Sequence, residues 1–190
     1  MIKKTKKHLD WLSKNDSGKQ LDIENMAITD LNIVKEDISA AICTKIDFEN
    51  ITFKDSNLGG SYFYNCIFHH VNFTDTILRK SEFYDCEFYD CNFKNVDLTK
   101  AEFNNTIFKN CSVIDSDLGW SFFNKSKLEQ LTITSTSLKS TMFNNSFIID
   151  IRTCRLIFSE KYPMRVMIDK SIKEIRNADE FAKWLKYEYV

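Results

Sequence analysis

Residues 82 to 91 read EFYDCEFYDC, the same five residues written twice in succession. A five-residue period belongs neither to a helix, which repeats near 3.6, nor to a flat strand, which repeats at 2. Steps of five from Phe83 and Phe88 lead upstream through Leu78, Phe73, Phe68, Phe63, Leu58, Phe53 and Phe48, then Cys43, Ile38, Ile33, Ile28 and Ile23. Downstream they reach Phe93, Leu98, Phe103, Phe108, Val113, Leu118, Phe123, Leu128, Ile133, Leu138, Phe143 and Ile148, then Thr153 and Phe158. Only Thr153 is plainly polar, and the register runs from 23 to 158 without an insertion.

A second column lies two residues before each anchor and holds small or β-branched residues, among them Ser56, Ser61, Cys66, Val71, Thr76, Ser81, Cys86, Cys91 and Ala101. The positions between are mostly Asp, Asn, Glu, Lys, Tyr and Thr. Large and small side chains alternating inward, with polar residues outward, are a core written at a period of five. A longer period lies on top. Phe63, Phe83, Phe103, Phe123 and Phe143 are twenty apart, as are Leu58, Leu78, Leu98, Leu118 and Leu138. A Leu ladder distinct from three Phe-rich ladders means that four pentapeptides close one turn, so that like stacks on like in the next.

Units such as SEFYD, CEFYD, CNFKN, VDLTK, AEFNN and SDLGW resemble the tandem repeats of the pentapeptide-repeat proteins, over roughly residues 21 to 160. The resemblance implies an all-β solenoid, a right-handed quadrilateral β-helix of about seven four-sided coils. At ~4.8 Å per coil the rod would be about 34 Å long. Open solenoid ends need covering. Residues 1–20 are expected as an N-terminal helical cap, 21–160 as the β-helix and 161–190 as a C-terminal strand and helix cap. Leu9, Trp11 and Leu12 beside several Lys suit a short amphipathic helix over 3–13. After Pro163, MRVMI reads as a strand, and Asn177 with Glu180 as the capping box of a helix over about 178–188. Phe181, Trp184, Leu185, Tyr187 and Tyr189 give that helix more apolar surface than a lone surface helix needs. It covers the end of the rod, or joins two copies as well. The resemblance supports the second use, because quinolone-resistance members dimerise through such a segment.

The chemistry of the chain points away from catalysis. Nothing resembles a nucleophile elbow or a Gly-rich phosphate loop, and the carboxylates lie on a convex rod. Cys66, Cys86, Cys91 and Cys111 fall in the small inward column, where thiols pack as small hydrophobes, and no cofactor or metal is expected. His69 and His70 are read as surface residues. The formal net charge of −1 gives no bulk attraction to nucleic acid or anionic membrane. No run of 18 apolar residues and no signal-peptide pattern is present, so the expected compartment is the cytoplasm, with six reduced cysteines.

What remains is surface, and two features stand out. Tyr62, Tyr64, Tyr84 and Tyr89 flank anchors on adjacent sides, with Glu82 and Glu87 beside them, and such aromatics are over-used at interfaces. Asp55, Asp75 and Asp115 share one twenty-residue column, and Asp97 and Asp117 lie two places along, suggesting an acidic stripe. The expected role is a non-catalytic scaffold that holds a protein partner of unstated identity by one lateral face. The alternative comes from the resemblance: fluoroquinolone-resistance members bind DNA gyrase by imitating duplex DNA. Residues 21–161 carry 20 acidic and 14 basic residues, net −6. A duplex of ~34 Å carries about 20 negative charges. The stripe is therefore dilute for a mimic.

Overall fold

The computed structural model describes residues 2–14, 18–168 and 170–187. From residue 21 on, the chain winds as a β-solenoid of about seven four-sided coils, with a short helix at each end. Three sides of each coil are parallel strands, typically of three residues. The first side stacks Tyr62–Tyr64, Glu82–Tyr84, Glu102–Asn104, Phe122–Asn124 and Met142–Asn144. The second stacks Ile67–His69, Glu87–Tyr89, Ile107–Lys109, Lys127–Glu129 and Phe147–Ile149. Asp22–Thr29 begins both sides, and Ile42–Glu49 above it likewise runs through both and joins them into one continuous sheet. The third side runs from Asn32–Val34 to Arg152–Cys154 as a sheet of its own. The fourth, which carries the Leu ladder, has only single bridges, one per coil from Asp37 to Asn57 up to Ser137 to Ile157.

Each partner is twenty residues away, as the ladders require. Phe63, Phe83, Phe103, Phe123 and Phe143 stack nearly parallel, with centroids 4.6–5.0 Å apart. Neighbouring ladders meet edge to face, Phe83 against Phe88 at 5.4 Å and 68°. Rings favour offset stacking and T-shaped contacts, and the core uses both. Phe83 and Phe88 are wholly buried.

The small inward column does more than fill space. Ser56, Thr76, Ser126 and Ser146 each donate a hydroxyl to a carbonyl 23 residues earlier, at 3.0–3.2 Å. Thiols take the same route, Cys86 to the Phe63 carbonyl and Cys91 to that of Phe68. A buried hydroxyl or thiol is thus satisfied without leaving its column. Burial pushes the Cys43, Cys86 and Cys91 thiols up, so these groups stay protonated.

The turn between sides has its own rule. Every fifth residue from 25 to 155 has a positive φ near 50–65°. Asn and Asp tolerate this left-handed region best among residues with a side chain. They fill it at Asn50, Asp55, Asn65, Asp75, Asp85, Asp90, Asn95, Asn105, Asn110 and Asp115. Successive corners also bond along the rod. Asn95 donates to Asp75 and Asn105 to Asp85, both at 2.6 Å.

Helix α1 (Ile2–Leu12) is tied to one corner of the first coil by His8. The Leu21 amide donates to His8 Nδ1 at 2.9 Å, so the ring proton sits on Nε2 and reaches the Ser39 carbonyl at 2.8 Å. At the other end Met164–Ile168 adds a parallel strand to the first side, and Ser171–Ile175 pairs back on it antiparallel. That return strand was not foreseen from MRVMI. Helix α2 (Ala178–Tyr187) follows. Asn177 Oδ1 accepts the Glu180 amide at 2.9 Å, while the Glu180 carboxylate takes the Arg176 amide at 2.8 Å, one residue earlier than in a standard capping box.

Candidate protein-binding face

The four tyrosines project from the first two sides, which belong to one sheet. Tyr62 and Tyr64 flank buried Phe63, Tyr84 follows Phe83 one coil on, and Tyr89 follows Phe88 around the next corner. Register places Tyr64 opposite Tyr84, and their rings stack at 5.3 Å and 12°. Tyr89 stacks in the same way on His69 at 5.0 Å. All four tyrosines are half-buried, and Tyr62 stacks on Tyr64 within its own strand at 6.3 Å.

Glu82 and Glu87 hold two of these rings in place. The Tyr84 phenol donates to Glu82 at 2.6 Å and the Tyr89 phenol to Glu87 at 2.5 Å. Residues i and i+2 of a strand point to the same side, so the pairing follows directly from the EFY sequence. The Glu82 carboxylate, aided by local burial, pushes the Tyr84 phenol up to about 12. Glu87 acts on Tyr89 in the same direction. The result is a stiff aromatic strip with carboxylates built in.

The aspartates do not form a comparable surface. Asp55, Asp75 and Asp115 are corner residues with φ of 51–53°, which gives a backbone reason for their type. Asn95 interrupts their column and ties up Asp75. Asp97 and Asp117 lie on the Leu side and cap its turns, accepting the amides of Thr99 and Gly119. Burial opposes the Asp97 charge, but the Thr99 hydroxyl and amide and the Arg79 guanidinium outweigh it and hold the carboxyl below its usual range. Arg79 meets Asp97 at 2.7 Å. Lys80 and Lys100 follow at the next corner.

Phe181 and Trp184 turn toward their own chain. Phe181 and Trp184 are 2% exposed and belong to the core. Phe181 meets Phe158, the last anchor, at 6.0 Å. Leu185 is half-buried, and Tyr189 lies outside the described residues.

A family model for pentapeptide repeats matches residues 41–79 and 86–124, in eight copies. Over those residues the chain is built of pentapeptide repeats. Among solved structures, full-length QnrB1, a plasmid-mediated fluoroquinolone resistance protein, is 14% identical, covering 87% of this chain and 97% of its own, with a TM-score of 0.41. A pentapeptide repeat protein from the Arabidopsis thaliana thylakoid lumen is 20% identical over 53% of this chain and 67% of its own, with a TM-score of 0.34. HetL, a pentapeptide repeat protein involved in heterocyst differentiation regulation from the cyanobacterium Nostoc sp. strain PCC 7120, is 9% identical over 86% and 98%, with a TM-score of 0.25. No curated protein matches the chain. At these identities and scores no property of a relative carries over, and the repeat itself is what this chain shares with them. Among the described residues, no helix is long and apolar enough to cross a membrane.

Proposed function

We propose that the chain is a non-catalytic binding rod that holds a protein partner against its tyrosine face. The observation that carries this reading is the stacked pair of Tyr64 and Tyr84, half-exposed on a flat sheet and braced by Glu82. Rigid aromatic side chains give contact area at low entropic cost, and the flanking carboxylates favour a partner with Lys or Arg at the rim. Tyr62, Tyr89 and Glu87 extend the strip over the corner.

The DNA-gyrase reading is weaker on charge. Its acidic residues are divided between corner positions and a side neutralised in part by Arg79. A homodimer through α2 would rest on Leu185 and Tyr189, since Phe181 and Trp184 are occupied within the chain.

One experiment separates the two partner readings. Wild-type protein, a Tyr64→Ala/Tyr84→Ala variant and an Asp97→Lys/Asp117→Lys variant are compared for retained cellular proteins and for inhibition of gyrase supercoiling at two salt concentrations. The tyrosine reading expects a retained protein to be lost from the first variant and kept by the second. Salt-sensitive supercoiling inhibition, lost only from the aspartate variant, would replace it with the gyrase reading.

A further inference from the structure

The first coil is built from smaller residues than the rest of the rod. The ladder of Phe143, Phe123, Phe103, Phe83 and Phe63 continues downward into Cys43 and then Ile23. Two successive phenyl positions are therefore vacated at one end. Ile28, Ile33 and Ile38 take the other three anchors of that coil. Helix α1, held by His8 to Leu21 and Ser39, covers one corner, and among its described side chains, 6–12, none lines the wall. A cavity of about 150 Å³ remains, open at its mouth and lined by Ile28, Leu31, Ile33, Cys43 and Phe63 among others. An apolar cavity of this size, walled by Leu, Ile and Phe, is known to stay dry and take up a benzene ring.

Asn32, Glu36 and Ser61 are the polar residues of that wall, and Glu36 is the charged one. Glu36 stands in the column occupied by Ser56, Thr76, Val96, Ser116 and Thr136 in later coils, where a small residue fits. Its backbone keeps the pattern, the amide donating to Ser56 Oγ at 3.2 Å. The residue lines the cavity and is half-buried, and no described residue forms an ion pair with it. A carboxylate beside an apolar hole suits a ligand that brings both a cation and a ring, since a lone charge there gains most from an opposite one.

We propose that the N-terminal end of the rod binds a small primary amine bearing one apolar ring, with the ring in the cavity and the ammonium group at Glu36. The test uses the full chain and two probes of equal shape, benzylamine and benzyl alcohol, titrated to about 10 mM while backbone amides are followed by NMR. Benzylamine is expected to shift the amides around Ile33, Cys43 and Phe63 and to bind at least fivefold tighter than benzyl alcohol, with the advantage falling in salt. Glu36→Gln should bring the two probes to equal affinity without loss of fold. Cys43→Phe continues the Phe ladder into the cavity and should weaken both probes at least tenfold. If that variant does not fold, the Glu36→Gln ratio decides. Several results would overturn the proposal: no shifts, shifts centred elsewhere, equal affinities in the wild type, or a ratio unchanged by Glu36→Gln. An end-to-end dimer of the rod that shields these residues and ignores benzylamine would overturn it too.

Discussion

The first and third sides of the rod have the same interior and different exteriors. Inside, both are walled by stacked Phe, the Phe63–Phe83 ladder on one and Phe53, Phe73 and Phe93 on the other. Outside, the first carries Tyr62, Tyr64, Glu82 and Tyr84. The third carries a row of small polar residues, Thr52, Asn72, Asn92, Ser112 and Thr132. That row closes on itself, Asn92 donating to Asn72 at 2.9 Å and Ser112 to Asn92 at 2.7 Å. Both exteriors satisfy the same coil geometry. The fold therefore does not require tyrosines on that face, and the proposed contact with a partner would account for their concentration there.

The comparison can be broken at its interior first. Phe83→Ala and Phe93→Ala should each cost about 3–5 kcal/mol in denaturant unfolding, because both rings are buried mid-rod with coils on either side. A loss under about 1 kcal/mol at either position would mean that the interior is not shared. The exterior comes next. Tyr84→Ala should weaken partner binding by about 2 kcal/mol, roughly thirtyfold, while costing about 1 kcal/mol or less in stability. Thr132→Ala on the third side should leave binding unchanged. Equal losses from both variants would remove the distinction between the two sides.

Smaller effects sharpen the account of the corners and of the tyrosine strip. Gly60 has φ of +65° and open space around any added Cβ. Gly60→Ala should therefore cost about 1 kcal/mol from backbone strain alone, measured by thermal unfolding. Smallest is a pH effect. The Tyr84 phenol is raised to about 12 because Glu82 accepts from its neutral form. This contact stabilises the fold fully below the ordinary phenol value near 10 and fades as pH rises through the folded value. Alkaline ultraviolet titration should show Tyr84 among the late tyrosines, together with Tyr64 and Tyr89, and Glu82→Gln should bring Tyr84 back toward 10.

The interior was legible in the residue pattern because a buried position tolerates few side-chain types, and 28 anchors in one register repeat that constraint. The corners were harder to read. Asp55, Asp75 and Asp115 looked like a charged stripe, yet the left-handed backbone at each fifth residue explains them without any partner. The signal was present as Asn and Asp recurring five apart, but an Asp chosen for its backbone and an Asp chosen for its charge look identical in sequence. The ends were read only in outline. SIKEI lacks strand alternation of the buried kind, and its strand exists because Met164–Ile168 offers an edge to pair with. The apolar face of α2 was visible, but only the structure sets Phe181 against Phe158 and Trp184 against Phe181. For the tyrosines, the EFY spacing told which residues share a side. That Tyr64 stacks on Tyr84 depends on the coil length, which the twenty-residue ladders supplied.

The most direct measurement places a photo-activated benzophenone side chain at Tyr84 in one sample and at Thr134, on the third side, in another. Both are irradiated in cell extract. A discrete adduct from position 84, suppressed by excess unlabelled wild-type protein and missing from position 134, is the result expected if the tyrosine face is the binding surface. The same adducts from both positions, or an adduct from 134 only, would contradict it.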